Sequence, residues 1–307
     1  MVNLLSFLWN MIMRKLIVFM LFTLVTFTWG TTWMAMKIAV DTIPPIFATG
    51  LRFLCAAPVL LSIAWATKTP LLFPSGQRGF QVIVCLFYFA IPFTLTIYGE
   101  QFVGSGLASI MFANMPVAVL VASLCFLKEK AHFLQIVGLT LSVTALSYIL
   151  FQESQTEAQS SLFGILSLVL AVIMHACMYA QCKKRACQVA VVTFNALPCL
   201  GAGVILSILG WYAEKPHVQY FSMASLWAVI YLGPFAGIFG ILCYFVLQQK
   251  AGVFKASIAF LIFPLIALSF ENLVCGHTLS NRSMICVVPL IFGILLTLIS
   301  KKHLKIH

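Results

Sequence analysis

Hydrophobic residues run through this chain in long blocks, without the strict alternation of half-buried strands. Ten blocks stand between short interruptions rich in Gly, Pro and charge: residues 16–38, 45–66, 80–98, 107–127, 133–151, 162–182, 189–210, 224–247, 256–274 and 284–300. A helix rises about 1.5 Å per residue, so blocks of this length match a hydrocarbon layer about 30 Å thick. A chain in lipid must pair its own backbone N–H and C=O groups, which selects helices over open strands. The pattern therefore predicts an all-α integral membrane protein with ten transmembrane helices. The longest connections, 152–161 and 211–223, are polar and leave no room for a soluble domain.

One phrase is written twice. Residues 101–116 read QFVGSGLASIMFANMP and residues 249–264 read QKAGVFKASIAFLIFP, an offset of 148 with seven of sixteen positions identical. A second pairing, Trp29, Trp33 and Lys37 against His175, Tyr179 and Lys183, has an offset of 146. Two apolar helices share Ala, Ser, Ile and Phe cheaply. The shared Gly and Pro, and a second pairing at nearly the same offset, argue instead for duplication. The offset covers five spans, an odd number, so the two five-helix repeats are expected to be inverted. Secondary carriers use that architecture, with a substrate site near the membrane midplane between the repeats.

Composition agrees with a lipid environment: of 307 residues, 62% are hydrophobic and 8% charged, against roughly a quarter charged in soluble domains. The net charge of +11 does not form a nucleic-acid face, because the basic residues sit in short clusters between spans. With the N-terminus inside, fourteen of the 18 Lys and Arg residues fall on the inner side, Lys215 and Arg282 on the outer side, and Lys37 and Arg52 within spans. Asp41, Glu100, Glu153, Glu157 and Glu214 all fall outside. By the positive-inside rule both termini are then cytoplasmic. The expected organisation is an N-terminal extension over 1–13 (a mis-assigned start or an interfacial segment), a first repeat over 14–152 and a periplasmic linker over 153–161. A second repeat over 162–300 and a basic tail over 301–307 follow. The apolar run after Arg14-Lys15 is too long for a cleavable signal. The ten cysteines lie mostly in apolar runs and lack CxxC or Cys/His zinc spacing, so neither a disulfide framework nor a metal site is expected.

WGTTWMAMKIAVDTIPPIFATGLRF (29–53) and ASIMFANMPVAVLVASLCFLKEK (108–130) resemble the EamA-type repeat of the drug/metabolite transporter superfamily. YLGPFAGIFGILCYFVLQQKAGVFKASIAFLIFP (231–264) resembles it again in the second half. The resemblance covers nearly the whole chain after residue 14. It implies a ten-helix carrier of the bacterial inner membrane, many such proteins exporting amino acids or related metabolites. It also implies a central cavity lined by the first, third, fourth, sixth, eighth and ninth helices. The chain departs from the pattern where the second half has His277 in place of the first half's Glu129, and where an acid, Glu271, sits inside the ninth span.

Charged side chains inside a membrane are costly and mark sites or partnerships. Lys37, Arg52 and Glu271 are expected at similar depth toward the outer side. In one reading Lys37 or Arg52 attracts an anionic group such as a carboxylate, for which the planar guanidinium is suited, and Glu271 carries a proton or pairs with a substrate amine. In the other, Glu271 neutralises Lys37 or Arg52 to hold helices together, or Lys37 snorkels to the interface. Trp29 and Trp33 lie on one stripe with Lys37 and either stack a ligand or pack helices. His175 and Tyr179, one turn apart, are cavity candidates beside a plain packing role. Ser109, Asn114 and Ser257 are polar groups near the paired prolines, able to bond substrate or a neighbouring helix. Pro116 and Pro264 are expected to kink or hinge the cavity wall.

No phosphate-binding loop, hydrolase elbow or catalytic carboxylate pair occurs in the sequence, so no enzyme and no cofactor is expected. The reading is a secondary transporter exporting small amino-acid-like metabolites by alternating access, driven by an ion gradient or exchange. Its partners are a small-molecule substrate and the lipid bilayer, and monomer and homodimer both fit. A drug carrier and a sugar-nucleotide or lipid-precursor carrier are alternatives, and a membrane sensor or assembly subunit is a more distant one.

Overall fold

The computed structural model describes residues 2–127, 131–156, 162–185, 189–251, 256, 259–276 and 279–298. Ten helical rods account for them: α1 Val2–Thr42, α2 Pro45–Ala66, α3 Arg78–Gly99, α4 Ser105–Leu127, α5 Phe133–Thr156, α6 Leu162–Arg185, α7 Val191–Glu214, α8 Met223–Ala251, α9 Ala259–Cys275 and α10 Asn281–Leu298. Eight are long and apolar enough to cross a bilayer, and α9 and α10 contribute shorter apolar helices where the ninth and tenth spans were expected. The described residues contain no strand. The expected extension over 1–13 does not form a separate element: helix α1 runs on through it from Val2.

The helices are sorted by what each face meets. Helix α6 exposes Phe163, Leu166, Leu170 and Ile173 on one stripe and buries Leu168, Ala171, Val172 and His175 on another. An apolar outer stripe of this kind suits lipid, where exposure of large hydrophobic side chains is not penalised.

The packing has the symmetry of a duplicated chain. Helix α1 packs on α9 as α6 packs on α4; α3 packs on α6 as α8 packs on α1; α2 packs on α8 as α7 packs on α3. The remaining extensive pairs, α2–α7, α5–α10 and α4–α9, each join a helix to its own counterpart. Exchanging the first five helices with the last five thus returns the same set of extensive pairs. The crossing of α2 and α7 repeats this at atomic level. A Cβ on Gly50 would fall 2.5 Å from Ser207 N, and one on Gly203 would fall 3.0 Å from Leu54 N. The two contacts are related by one offset of 153 residues. Small residues let helix backbones approach this closely.

Two helices depart from regular α geometry at corresponding places. Helix α3 carries a π-helical stretch at Cys85–Ala90, and α8 carries one at Tyr231–Phe239. Such wide turns expose backbone groups and re-aim side chains. Helix α4 breaks at Asn114, just before Pro116, where the Asn114 N–H turns back to the Met111 carbonyl. The Asn114 amide then donates to the Ile110 carbonyl at 3.1 Å, replacing the backbone bond that was lost. Around Pro264, by contrast, α9 stays helical. The paired prolines therefore sit in unlike surroundings, one at a break and one within a continuous helix.

Candidate functional site

Both π-helical stretches line a cavity of about 230 Å³. Tyr88, Phe89 and Phe93 line it from α3, and Leu232, Gly233, Ala236 and Gly237 line it from α8. Trp29, Trp33, Phe112, Phe260 and Phe263 complete an aromatic wall. Trp33 stacks on Phe263 at 6.3 Å and tilts against Phe112 at 4.9 Å, while Trp29 lies 4.9 Å from Tyr244. The cavity extends to Val191 and Val192 in the first turn of α7. Tyr179, which is 43% exposed, also lines it.

Arg52 is the cation of this cavity. It is 6% exposed and lies against the rings of Phe93 at 5.1 Å and Phe53 at 5.7 Å. Its Nη2 donates to the Leu232 carbonyl at 3.4 Å and its Nη1 to the Met36 sulfur at 3.8 Å, both long contacts, and its Nε has no acceptor. Among the described residues no carboxylate pairs with it. A guanidinium carries five donors in a planar fork that matches a carboxylate, and here most of that capacity is unused. His175, 5% exposed, is ringed by the edges of Tyr88, Phe93 and Phe112, and its Nδ1 has no partner. Tyr88 donates to the Tyr179 hydroxyl at 3.2 Å.

The expected trio at one depth is divided. Arg52 belongs to the cavity, whereas Lys37 and Glu271 do not line it and pair with each other at 3.9 Å. The reason is packing: α2 aims Arg52 toward α8, while α1 and α9 meet over the start of α4. There Glu271 accepts the Gly106 N–H at 2.6 Å and so caps α4 from another helix. Favourable N–H groups at a helix start stabilise a carboxylate. Gly104 and Gly106 make the room, because a Cβ on either would fall 2.6 or 2.5 Å from a Glu271 oxygen. Ser109 and Asn114 are also off the cavity wall: the Ser109 hydroxyl donates to the Gly106 carbonyl and the Asn114 amide to Ile110. Ser257, Glu129 and His277 lie outside the described residues.

The end of the bundle where α1 stops and α2 starts is closed by further polar contacts. Glu214, at the end of α7, accepts the Ile46 and Phe47 N–H groups at 2.9 and 2.8 Å. Thr42 bonds Ser225 at 2.8 Å, tying α1 to α8.

Several lining residues escape sequence reasoning. Helices α2 and α7 join the wall, through Phe53, Asn195 and Cys199 beside the expected Arg52, although the resemblance implied six other helices. The aromatic lining from α3 has no distinguishing signal in a chain that is 13% aromatic. Pro92, just after the first π-helical stretch, and Pro234, inside the second, are the nearest thing to one.

Comparison with known proteins agrees with this architecture. The model of the EamA-like transporter family matches twice, over residues 16–151 and 162–299. Protein PagO of Salmonella typhimurium is 60% identical over 289 residues, covering 94% of this chain and 95% of that protein. An uncharacterized transporter of Buchnera aphidicola is 51% identical over 293 residues, covering 95% of this chain and 98% of its own. The uncharacterized inner membrane transporter YedA of Escherichia coli K12 is 25% identical, covering 89% of this chain and 88% of its own. A crystal structure at 16% identity superposes with a TM-score of 0.64 over 94% of this chain and 98% of that one, which shows a shared fold. With one match in each half and close relatives along nearly its full length, this chain belongs to the EamA-like transporter family and is a multi-pass membrane protein.

Proposed function

We propose that the protein is a secondary carrier exporting small amino-acid-like metabolites from the cytoplasm by alternating access across a bacterial inner membrane. The observation that carries this reading is Arg52: a buried guanidinium with unused donors, facing an aromatic cavity large enough for a small molecule. A substrate carboxylate supplies the missing acceptors, and an apolar or aromatic body fills the space among Trp29, Trp33, Phe93 and Phe112. Among the described residues no Asp or Glu lines the cavity, which disfavours a cationic drug as substrate. The end near the start of α7 is the inner side in the orientation set by the basic clusters, and the end closed by Glu214 and the Lys37–Glu271 pair is the outer one. An odd number of helices per half then makes the two repeats inverted. Acids at the closed end supply the gradient coupling.

The test is substrate counterflow in liposomes containing the purified protein, with a panel of amino acids and their amide or alcohol analogues. Carboxylates with apolar side chains are expected to exchange and their uncharged analogues to fail. Equal exchange of acid and alcohol forms would overturn the role given to Arg52, and no exchange of any small molecule would overturn the carrier reading.

A further inference from the structure

Glu100 lies in the turn between α3 and α4, where sequence position alone suggests an ordinary outer-loop acid. It is 1% exposed, and neither carboxyl oxygen has a hydrogen-bond partner. The neighbouring Ser105 hydroxyl, fully buried, is equally without one. The charged groups that act on Glu100 are Glu271 from α9 and Lys37 from α1. Helix α6, packed against the same turn, presents Gly164 and Leu168. Of the three charged residues, Glu271 takes both favourable contacts, the Gly106 N–H and the Lys37 ammonium. Glu100 is left buried beside a like charge.

An ionised carboxylate in that setting is strongly disfavoured, and a proton removes the cost. Burial, followed by the Glu271 carboxylate, pushes the Glu100 carboxyl well above the usual carboxylate range, and Lys37 opposes this only in part. One helical turn separates Glu100 from Thr96, whose carbonyl accepts the Glu100 N–H and whose side chain lines the cavity. Glu100 is thus one helical turn from a residue of the cavity wall.

We infer that Glu100 is the proton-carrying residue of the transport cycle, protonated while the outer end is closed and deprotonated when that turn is hydrated. The inference rests on the gradient-coupled carrier reading and narrows its coupling from a group of acids to one carboxyl. Lys37 and Glu271 then form the fixed pair against which Glu100 changes charge. The step is a plain proton transfer: the Glu100 O–H gives its proton to water when the turn opens, leaving the carboxylate, and takes one back before closure. The closed state binds the additional proton, so raising the pH favours opening and lowering it favours closure.

The experiment treats the full-length protein in liposomes with dicyclohexylcarbodiimide, an apolar reagent that modifies protonated carboxyls, across a pH series, and locates the adduct by peptide mass spectrometry. The adduct is expected on Glu100, with a midpoint well above the ordinary carboxylate value of about 4.3. In Glu271→Gln the midpoint should fall, since the like charge is gone and Lys37 is released toward Glu100. An adduct on Glu271, none on either acid, or a Glu100 midpoint at the ordinary value would overturn the inference. In parallel, Glu100→Gln, which mimics the protonated form and keeps the fold, should still exchange substrate but lose stimulation by a pH gradient; retained stimulation overturns the assignment. Loss of exchange in the unmodified protein would sink the carrier reading and leave the labelling result standing, so the two failures are separable.

Discussion

The cavity around Arg52 and the closed end around Glu271 both take a charge out of water, and they treat it in opposite ways. Glu271 receives a short N–H bond, a cation and close steric contact from Gly104 and Gly106. Arg52 receives ring faces, two long contacts and open space. The protein satisfies its own charge where helices must hold together and leaves one unsatisfied where a ligand must be held. A buried ion pair is by itself weak evidence of function; an unpaired buried cation beside a cavity points to an absent partner.

The strongest way to break this contrast is Arg52→Gln. Losing one partner of a desolvated charge pair costs about 2–5 kcal/mol, so carboxylate exchange should weaken by roughly 30-fold or more. Arg52→Lys should recover only part, because an ammonium lacks the planar fork. Counterflow assays on both variants check this, and full activity in Arg52→Gln would remove the residue from substrate binding. Gly106→Ala tests the closed end. The new methyl collides with Glu271 and Leu268, and overpacking of this kind costs about 1–3 kcal/mol. Thermal unfolding in detergent should shift down, while the substrate affinity of the surviving fold stays near that of the parent. Smallest is Glu214→Gln, which weakens a cap on two α2 N–H groups at a cost of about 1 kcal/mol. It should lower thermal stability slightly and leave substrate choice untouched; altered selectivity would mean that the closed end also contacts substrate.

The phrase shared by residues 101–116 and 249–264 shows how much could be read in advance and where reading stopped. In the sequence it served as a sign of duplication. In the structure Gly104 and Gly106 clear space for the Glu271 carboxylate, the acid that departs from the family pattern 148 residues after Ser123. Trp29, Trp33, Arg52, His175 and Tyr179 were visible as candidates, and all five line one cavity. Lys37, Ser109, Asn114 and Glu271 were equally visible and lie off it. Glu100 looked like a solvated loop acid and is buried without a partner.

Hydrophobic blocks, basic clusters and the repeated phrase determine the ten helices and the duplication, because a bilayer demands self-paired backbone over a set length and sorts positive charge to one side. Which polar residues meet was decided only by tertiary packing. A helix that is apolar all round carries no signal for its own rotation. A turn of α1 or α2 about its axis would exchange the surroundings of Lys37 and Arg52 without changing a letter of the hydropathy pattern. The close crossing of α2 and α7 at Gly50 and Gly203, with the meeting of α1, α4 and α9 at Gly104 and Gly106, sets those rotations. They leave Arg52 facing open space and bury Glu100 behind a pair already neutralised.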